Sequence, residues 1–366
     1  MTHPKATPSN PAQPRLIFWE TTVACNLNCS HCRRTTSTPL SHELSTSEAT
    51  ELLINPIASN NWKPILVFSG GEPLARNDIL PIINHTTNKG IHAAIATNGT
   101  LINNTIAHDL ANAGISRASV SLDAATPTTH DSIRGIPGSF NLATSGIQAL
   151  RNAGIDVQIN STITKANRNE VDKLLDLVHD LDTCALHVFL LVPTGCGAQL
   201  PEHIRLEPYE VEQLLRYLDS EATKRNMEIR ATCAPQAQRI RLQQIRTRAK
   251  SEQPPGRGLA PSSKGCLAGN GIVFISATGI AFPCGYLPTP IGNIREQPLA
   301  SILTTSELLS SLRDTTNLEG RCRNCEYNKC CGGCRARAFA TSNNLFGEEP
   351  SCTMPSNAEP PMTNTR

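Results

Sequence analysis

A chain of 366 residues with 33 basic and 31 acidic side chains and a net charge of +2 is too long for one small domain and lacks the charge excess that marks nucleic-acid binding, while leaving room for a compact anionic substrate. Its fourteen cysteines do not read as a secreted disulfide framework, because the chain is large and no basic segment followed by an apolar signal core opens it; they read as metal ligands in a reducing cytoplasm. No stretch approaches the ~20 consecutive apolar residues that span a bilayer.

Residues 1–14 are polar and proline-rich and, like the tail 356–366, read as disordered. Between them short apolar runs alternate with helix-length segments: Leu16–Trp19, Ile65–Phe68, His92–Ala96, Ala118–Leu122, Val157–Ile163 and Leu186–Val192. That rhythm predicts six strands in βα units and a mostly parallel sheet. Ser45 to Glu48 carries a capping-box pattern that opens the first helix, and Gly90, Gly114 and Gly154 stand where C-terminal glycines close helices ahead of strands. Ligands of βα barrels gather at the C-terminal ends of strands. There the chain has Cys25, Cys29 and Cys32 after strand one, Ser69-Gly70-Gly71-Glu72-Pro73 after strand two, Asn98 after strand three, and Ser121 and Asp123 at strand four. Arg134 lies just beyond, Asn160 and Ser161 end strand five, and Glu20 stands next to the cysteine loop. Taken alone, the run CNLNCSHC fits part of an iron-sulfur site, a zinc site or a ferredoxin-like carrier, and the polar strand ends fit ordinary turns.

The C-x3-C-x2-C loop followed by GGEP resembles the signature of the radical S-adenosylmethionine (radical SAM) superfamily. The resemblance implies an α/β fold, a partial (β/α)6 TIM-like barrel over 15–205. It implies a 4Fe-4S cluster on Cys25, Cys29 and Cys32, whose open iron takes the amine and carboxylate of S-adenosyl-L-methionine (SAM). Gly70, Gly71, Glu72 and Pro73 would bind the SAM ammonium, Ser121 and Asp123 its ribose and Arg134 its carboxylate. Asn98 joins these cofactor candidates, with Asn160 and Ser161 as further ribose candidates. His31, between two cluster ligands, would face the substrate or pack over the cluster.

Residues 206–262 read as amphipathic helix and then a Pro/Gly-rich linker, a helical bridge to a second cysteine-rich region over 263–355. Cys233, Cys184 and Cys196 stand apart and read as small buried hydrophobes. The array Cys266, Cys284, Cys322, Cys325, Cys331, Cys334 and Cys352 is compatible by spacing with zinc ribbons, since thiolates alone do not choose the metal. It resembles the SPASM module of auxiliary 4Fe-4S clusters. That resemblance puts Cys266, Cys284 and Cys334 on an inner cluster with an open position, and Cys322, Cys325, Cys331 and Cys352 on an outer one, with Cys330 the alternative to Cys331.

The strings WETTVACNLNCSHCRR, FLLVPTG, ATCAP and GCLAGNGIVFISATGIAFPCGYLPTPIGNIR resemble the haem synthases of the sirohaem-dependent haem pathway. The resemblance implies that two propionates of iron-coproporphyrin III become vinyl groups, giving haem b, through a 5'-deoxyadenosyl radical, with a low-potential donor such as ferredoxin or flavodoxin. A tetra-anionic porphyrin calls for arginines; Arg33, Arg34, Arg230, Arg239 and Arg335 are the candidates. The rival readings are a radical SAM/SPASM peptide maturase, a didecarboxysirohaem deacetylase and an iron-sulfur electron carrier. No leader-binding segment is evident before residue 15, which counts against the maturase.

Overall fold

The six expected runs form six parallel strands in chain order: β1 (Leu16–Glu20), β2 (Ile65–Ser69), β3 (His92–Thr97), β4 (Arg117–Ser121), β5 (Asp156–Ile163) and β6 (Ala185–Leu190). They are seen in a computed structural model that describes residues 13–60, 62–250 and 264–355. The tails read as disordered, apart from residues 13 and 14, and the linker over 251–263 lie outside the described residues. Strand ends differ from the sequence reading by one or two residues. At β6 the strand stops at Leu190 rather than Val192, ahead of Pro193, which has no N–H for a ladder.

Period-two alternation sets the two faces of the sheet. In β4, Ala118 and Val120 are buried while Arg117, Ser119 and Ser121 are half-buried; in β6, Leu186, Val188 and Leu190 alternate with half-buried His187 and Phe189. The buried set packs against crossover helices such as Ile79–Asn88, Ser139–Asn152 and Val171–Asp180 in one apolar core that includes Trp19, Phe68, Ile95, Ile147 and Leu175. The half-buried set leaves a largely polar inner face. The Ser45 capping box forms as expected: the Ser45 hydroxyl accepts from Glu48 N at 3.2 Å and Ser45 N donates to the Glu48 carboxylate at 2.9 Å. The helix then widens over Ala49–Ile54, where Asn55 N donates to Thr50 O just before Pro56, a proline that cannot supply the next N–H. Gly90, Gly114 and Gly154 all close helices in the left-handed region, at φ +76°, +94° and +79°.

The sheet runs past six strands at both edges. β7 (Ile229–Thr232), in the segment read as helix and linker, pairs parallel with β6. β8 (Ile272–Ile275), from the second cysteine-rich region, pairs parallel with β1 through Leu16↔Ile272 to Trp19↔Ile275, and β9 (Ile280–Phe282) and β10 (Gly292–Asn293) follow antiparallel. The order is β10-β9-β8-β1-β2-β3-β4-β5-β6-β7. Both cysteine-rich regions are thus tied to β1, one by the loop that leaves it and the other by a strand laid along it. Among the described residues, no helix is long and apolar enough to cross a membrane.

Candidate active site and cysteine clusters

The chain leaves β1 through Thr21-Thr22-Val23-Ala24 and enters the cysteine loop, and the turn after β2 lies directly on this lead-in. Gly71 N donates to Thr22 O at 2.8 Å and Glu72 N to Ala24 O at 2.7 Å. A Cβ at Gly71 would stand 1.9 Å from Ala24 O, and one at Gly70, whose φ is +150°, 2.5 Å from Thr22 O. The two glycines are therefore demanded by backbone packed on backbone, a close approach only glycine permits. Pro73 is buried and opens a short 3-10 turn over Pro73–Ala75.

Glu72 is fully buried. Its carboxylate accepts from Thr97 Oγ1 at 2.8 Å, Asn98 N at 2.8 Å and Leu74 N at 3.2 Å, so the side chain braces β2 against the end of β3. Burial raises its pKa above the ordinary carboxylate value against the pull of these donors. Asn98 carries that brace to the cysteine loop: its amide donates to Asn26 Oδ1 at 2.8 Å and approaches the Cys25 sulfur at 3.9 Å.

On the other side the loop docks on the end of helix Pro127–Arg134. Asn28 N and Ser30 N donate to Arg134 O and Ile133 O, at 3.3 and 3.0 Å, and a Cβ at Gly135 would strike Asn28 O at 2.5 Å. Asp123 and Arg134, both expected at the SAM site, are paired with each other at 2.7 Å. Asp123 is fully buried; it also accepts from Thr162 N at 2.8 Å and lies 3.5 Å from His31 Nε2. Burial pushes its carboxyl up, but Arg134 and His31 outweigh that and hold it below the usual range. Arg134 Nη1 in turn reaches the Cys29 sulfur at 3.7 Å. Burial raises the Cys29 thiol pKa and the Arg134 cation opposes it. A guanidinium and an amide are directed at two of three unpaired thiols, Cys29 and Cys25, and soft sulfur donors fit an iron-sulfur cluster.

Ser121 ends β4 half-buried and falls in one register row with Asn160, His187 and Arg230 across β4 to β7. Asn160 accepts from Gln158 Nε2 at 2.7 Å, and the Ser161 hydroxyl is spent on Leu122 O. Glu20 is ion-paired with Arg33 at 2.8 Å, and Arg33 stacks on the Phe274 ring, 4.4 Å from its centroid. Three of the arginines expected to meet an anionic substrate are committed elsewhere: Arg34 to Val23 O and Thr36 O, Arg239 to Glu212, and Arg335 to Gly347 O and Leu345 O. The string FLLVPTG ends at Gly195, and the loop formed by Gly195 and the following Gly197 is pressed on the cysteine loop, with Gly197 N donating to Cys32 O at 3.2 Å. Cys196 donates to Arg34 O, and Cys184 is exposed rather than a buried hydrophobe.

At the far end Cys322, Cys325, Cys331 and Cys352 line one cavity of about 150 Å³. Cys330 turns its thiol to Tyr327 O at 3.3 Å and does not line that cavity. Among the described residues, no three Cys, His, Asp or Glu side chains converge on a metal-ion site. Cys266, Cys284 and Cys334 share a second apolar cluster with Val192, Ala268, Leu287 and Leu312. Cys233, read from the sequence as a lone hydrophobe, lies in that same cluster with Cys334. Its position was not legible because the segments carrying it meet only in three dimensions.

The chain matches the radical SAM superfamily over residues 19–178 and an iron-sulfur cluster-binding domain of the SPASM type over 266–326. It is 44% identical over 340 residues to the "AdoMet-dependent heme synthase" of Methanosarcina barkeri, covering 93% of this chain and 96% of that protein. It is 39% identical over 341 residues to the protein of the same name from Oleidesulfovibrio alaskensis, covering 93% and 87% of the two. Among solved structures, Streptococcus suis SuiB bound to its precursor peptide SuiA shares the fold with a TM-score of 0.73 at 18% identity, over 94% of this chain and 76% of that one. With a thiol loop on β1, glycines fitted to its lead-in and two further thiol sets joined to the same sheet, this chain belongs to the AdoMet-dependent haem synthase family of radical SAM enzymes.

Proposed function

We propose that the enzyme converts two propionates of iron-coproporphyrin III to vinyl groups, giving haem b. The observation that carries this reading is the end-to-end likeness to haem synthases, which takes in the cysteine loop and the C-terminal thiols together. Bound SAM and a 4Fe-4S cluster on Cys25, Cys29 and Cys32 supply a 5'-deoxyadenosyl radical able to take a hydrogen atom from an unactivated carbon. Each propionate then loses a hydrogen atom from its β-carbon, one CO2 and one electron, which leaves a neutral vinyl group.

The residues of the chain position these events. Gly70, Gly71 and Pro73 offer backbone groups beside the lead-in to Cys25, and Glu72 keeps that turn fixed from behind. The Asp123 and Arg134 pair holds the loop from the opposite side, with Asn98 at Cys25 and Ser121 at the β4 end completing the cofactor cradle. Of the five candidate arginines, Arg33 and Arg230, whose side chains are 19% and 51% exposed and which pair with the carboxylates of Glu20 and Glu228, are the cations for substrate carboxylates. Arg33 stacks on Phe274, and an auxiliary cluster on the SPASM thiols is the acceptor for the released electron.

In this reading residues 15–205 carry the radical chemistry, 206–262 bridge, and 263–355 hold one or two auxiliary clusters. A ferredoxin or flavodoxin is the electron donor. Fourteen unpaired cysteines favour a reducing cytoplasm. Neither a peptide maturase nor a deacetylase accounts as well for the likeness to haem synthases. The test is anaerobic incubation of the reconstituted enzyme with iron-coproporphyrin III, SAM and a low-potential reductant, followed by mass spectrometry. Loss of two CO2 per porphyrin supports the reading; unchanged porphyrin beside active SAM cleavage would refute it.

A further inference from the structure

Cys233 follows β7 by one residue, in a segment far from either cysteine motif along the chain. Its φ of +54° places a non-glycine residue in the left-handed region, a conformation kept where surrounding structure enforces it. The enforcement is visible. Arg337, on the helix that follows Cys334, donates to Cys233 O at 2.7 Å and to Leu190 O at 3.3 Å, so one guanidinium fixes the ends of β6 and β7 together. The same group pairs with buried Glu349 at 3.1 Å, and Glu349 accepts from Cys334 N at 2.6 Å. Two residues past Cys233, Pro235 abuts Gly265, where an added Cβ would stand 2.8 Å away. The segments bearing Cys233, Cys266 and Cys334 are thereby fastened to one another by side-chain and packing contacts that do not depend on the thiols.

Cys233, Cys266, Cys284 and Cys334 pack in one apolar surround. A 4Fe-4S cluster is commonly held by four cysteine thiolates, and the sequence supplies no cysteine shortly after Cys266 to serve as the fourth. We propose that Cys233 is the fourth ligand of the inner auxiliary cluster, with Cys266, Cys284 and Cys334. The cluster is then closed by protein, and the substrate does not bind to its iron. This rests on the reading of the C-terminal thiols as cluster ligands.

The test uses the full chain with Cys25, Cys29 and Cys32 all replaced by alanine, so that only auxiliary clusters remain. After anaerobic reconstitution this protein should hold about eight irons, two clusters of four. Adding Cys233→Ala should remove about half of them, or turn one cluster into a three-iron form seen by EPR, while the other signal stays. Cys233→Ser, which keeps size and hydrogen bonding, should shift the EPR signal and midpoint potential of one cluster only, and it decides the question if the alanine variant does not fold. Cys184→Ala, at an exposed thiol, is the control and should change nothing. Unchanged iron and unchanged spectra in both Cys233 variants would overturn the assignment. Absence of iron from the parent with Cys233 intact would overturn the reading of the C-terminal thiols instead.

Discussion

Replacing Gly71 with alanine tests whether the GGEP turn acts as a fitted part of the cysteine loop. The new Cβ would lie 1.9 Å from Ala24 O, 2.6 Å from Ala24 C and 2.7 Å from Val23 O, whereas ordinary contact begins at 3.4 Å. The turn must withdraw by about 1.5 Å, because every obstructing atom is backbone and none can rotate aside. That stretches the hydrogen bonds Gly71 N to Thr22 O and Glu72 N to Ala24 O, now 2.8 and 2.7 Å, past useful range. At roughly 1–3 kcal/mol for each buried group left unmade, the loss is about 2–6 kcal/mol. A displacement of this size beside the reacting centre should also cost on the order of 100-fold in rate. Gly90→Ala supplies the comparison: nothing stands within 4 Å of its Cβ, so only the φ of +76° is strained, at about 1–2 kcal/mol. Denaturant unfolding and 5'-deoxyadenosine formation should separate the two variants clearly. Equal stability and equal SAM cleavage in Gly71→Ala and Gly90→Ala would refute the packing argument.

Asp123→Asn should destabilise the protein by roughly 3–5 kcal/mol, because it leaves the buried Arg134 cation without its 2.7 Å partner; an unfolding midpoint equal to the wild type would contradict this. Stability should also fall on acidification. Burial, then Arg230 and Arg117, lower His187 to about 3, and burial and Arg134 lower His130 to about 4, both from 6.5. Between those values and about pH 6.5 the unfolded chain binds the protons that the folded chain refuses, so stability rises with pH at up to about 1.4 kcal/mol per pH unit for each histidine and is fully present above 6.5. Melts from pH 8 to pH 5 check the sign, and His187→Gln should flatten the slope. Cys331→Ala should cost an auxiliary cluster, read as about four irons, whereas Cys330→Ala should leave iron content unchanged; the reverse pattern would reassign the ligand.

The barrel was legible because period-two apolar runs, a capping box and three helix-closing glycines are local signals, and all of them formed in the places expected. The cysteine loop and GGEP were legible as motifs, but their physics was not. Nothing local says that Gly70 and Gly71 face backbone at Thr22 and Ala24, or that Glu72 is enclosed by Thr97 and Asn98. The same holds for Asp123 and Arg134, two polar residues at strand and helix ends whose mutual pairing depends on how the helix docks under the cysteine loop. β7 and β8 escaped notice because each has four residues and each takes its partner from a distant segment. Arg239 and Arg335 have the composition of a carboxylate-binding surface, yet folding buries both on internal partners.

In the proposed reaction the radical takes its hydrogen from the β-carbon of a porphyrin propionate. Iron-coproporphyrin III deuterated at that carbon, turned over anaerobically with SAM and reductant, reads this directly. Deuterium should appear in 5'-deoxyadenosine, with two 5'-deoxyadenosines and two CO2 for each haem formed. Unlabelled 5'-deoxyadenosine beside an intact porphyrin would rule out hydrogen abstraction from that carbon.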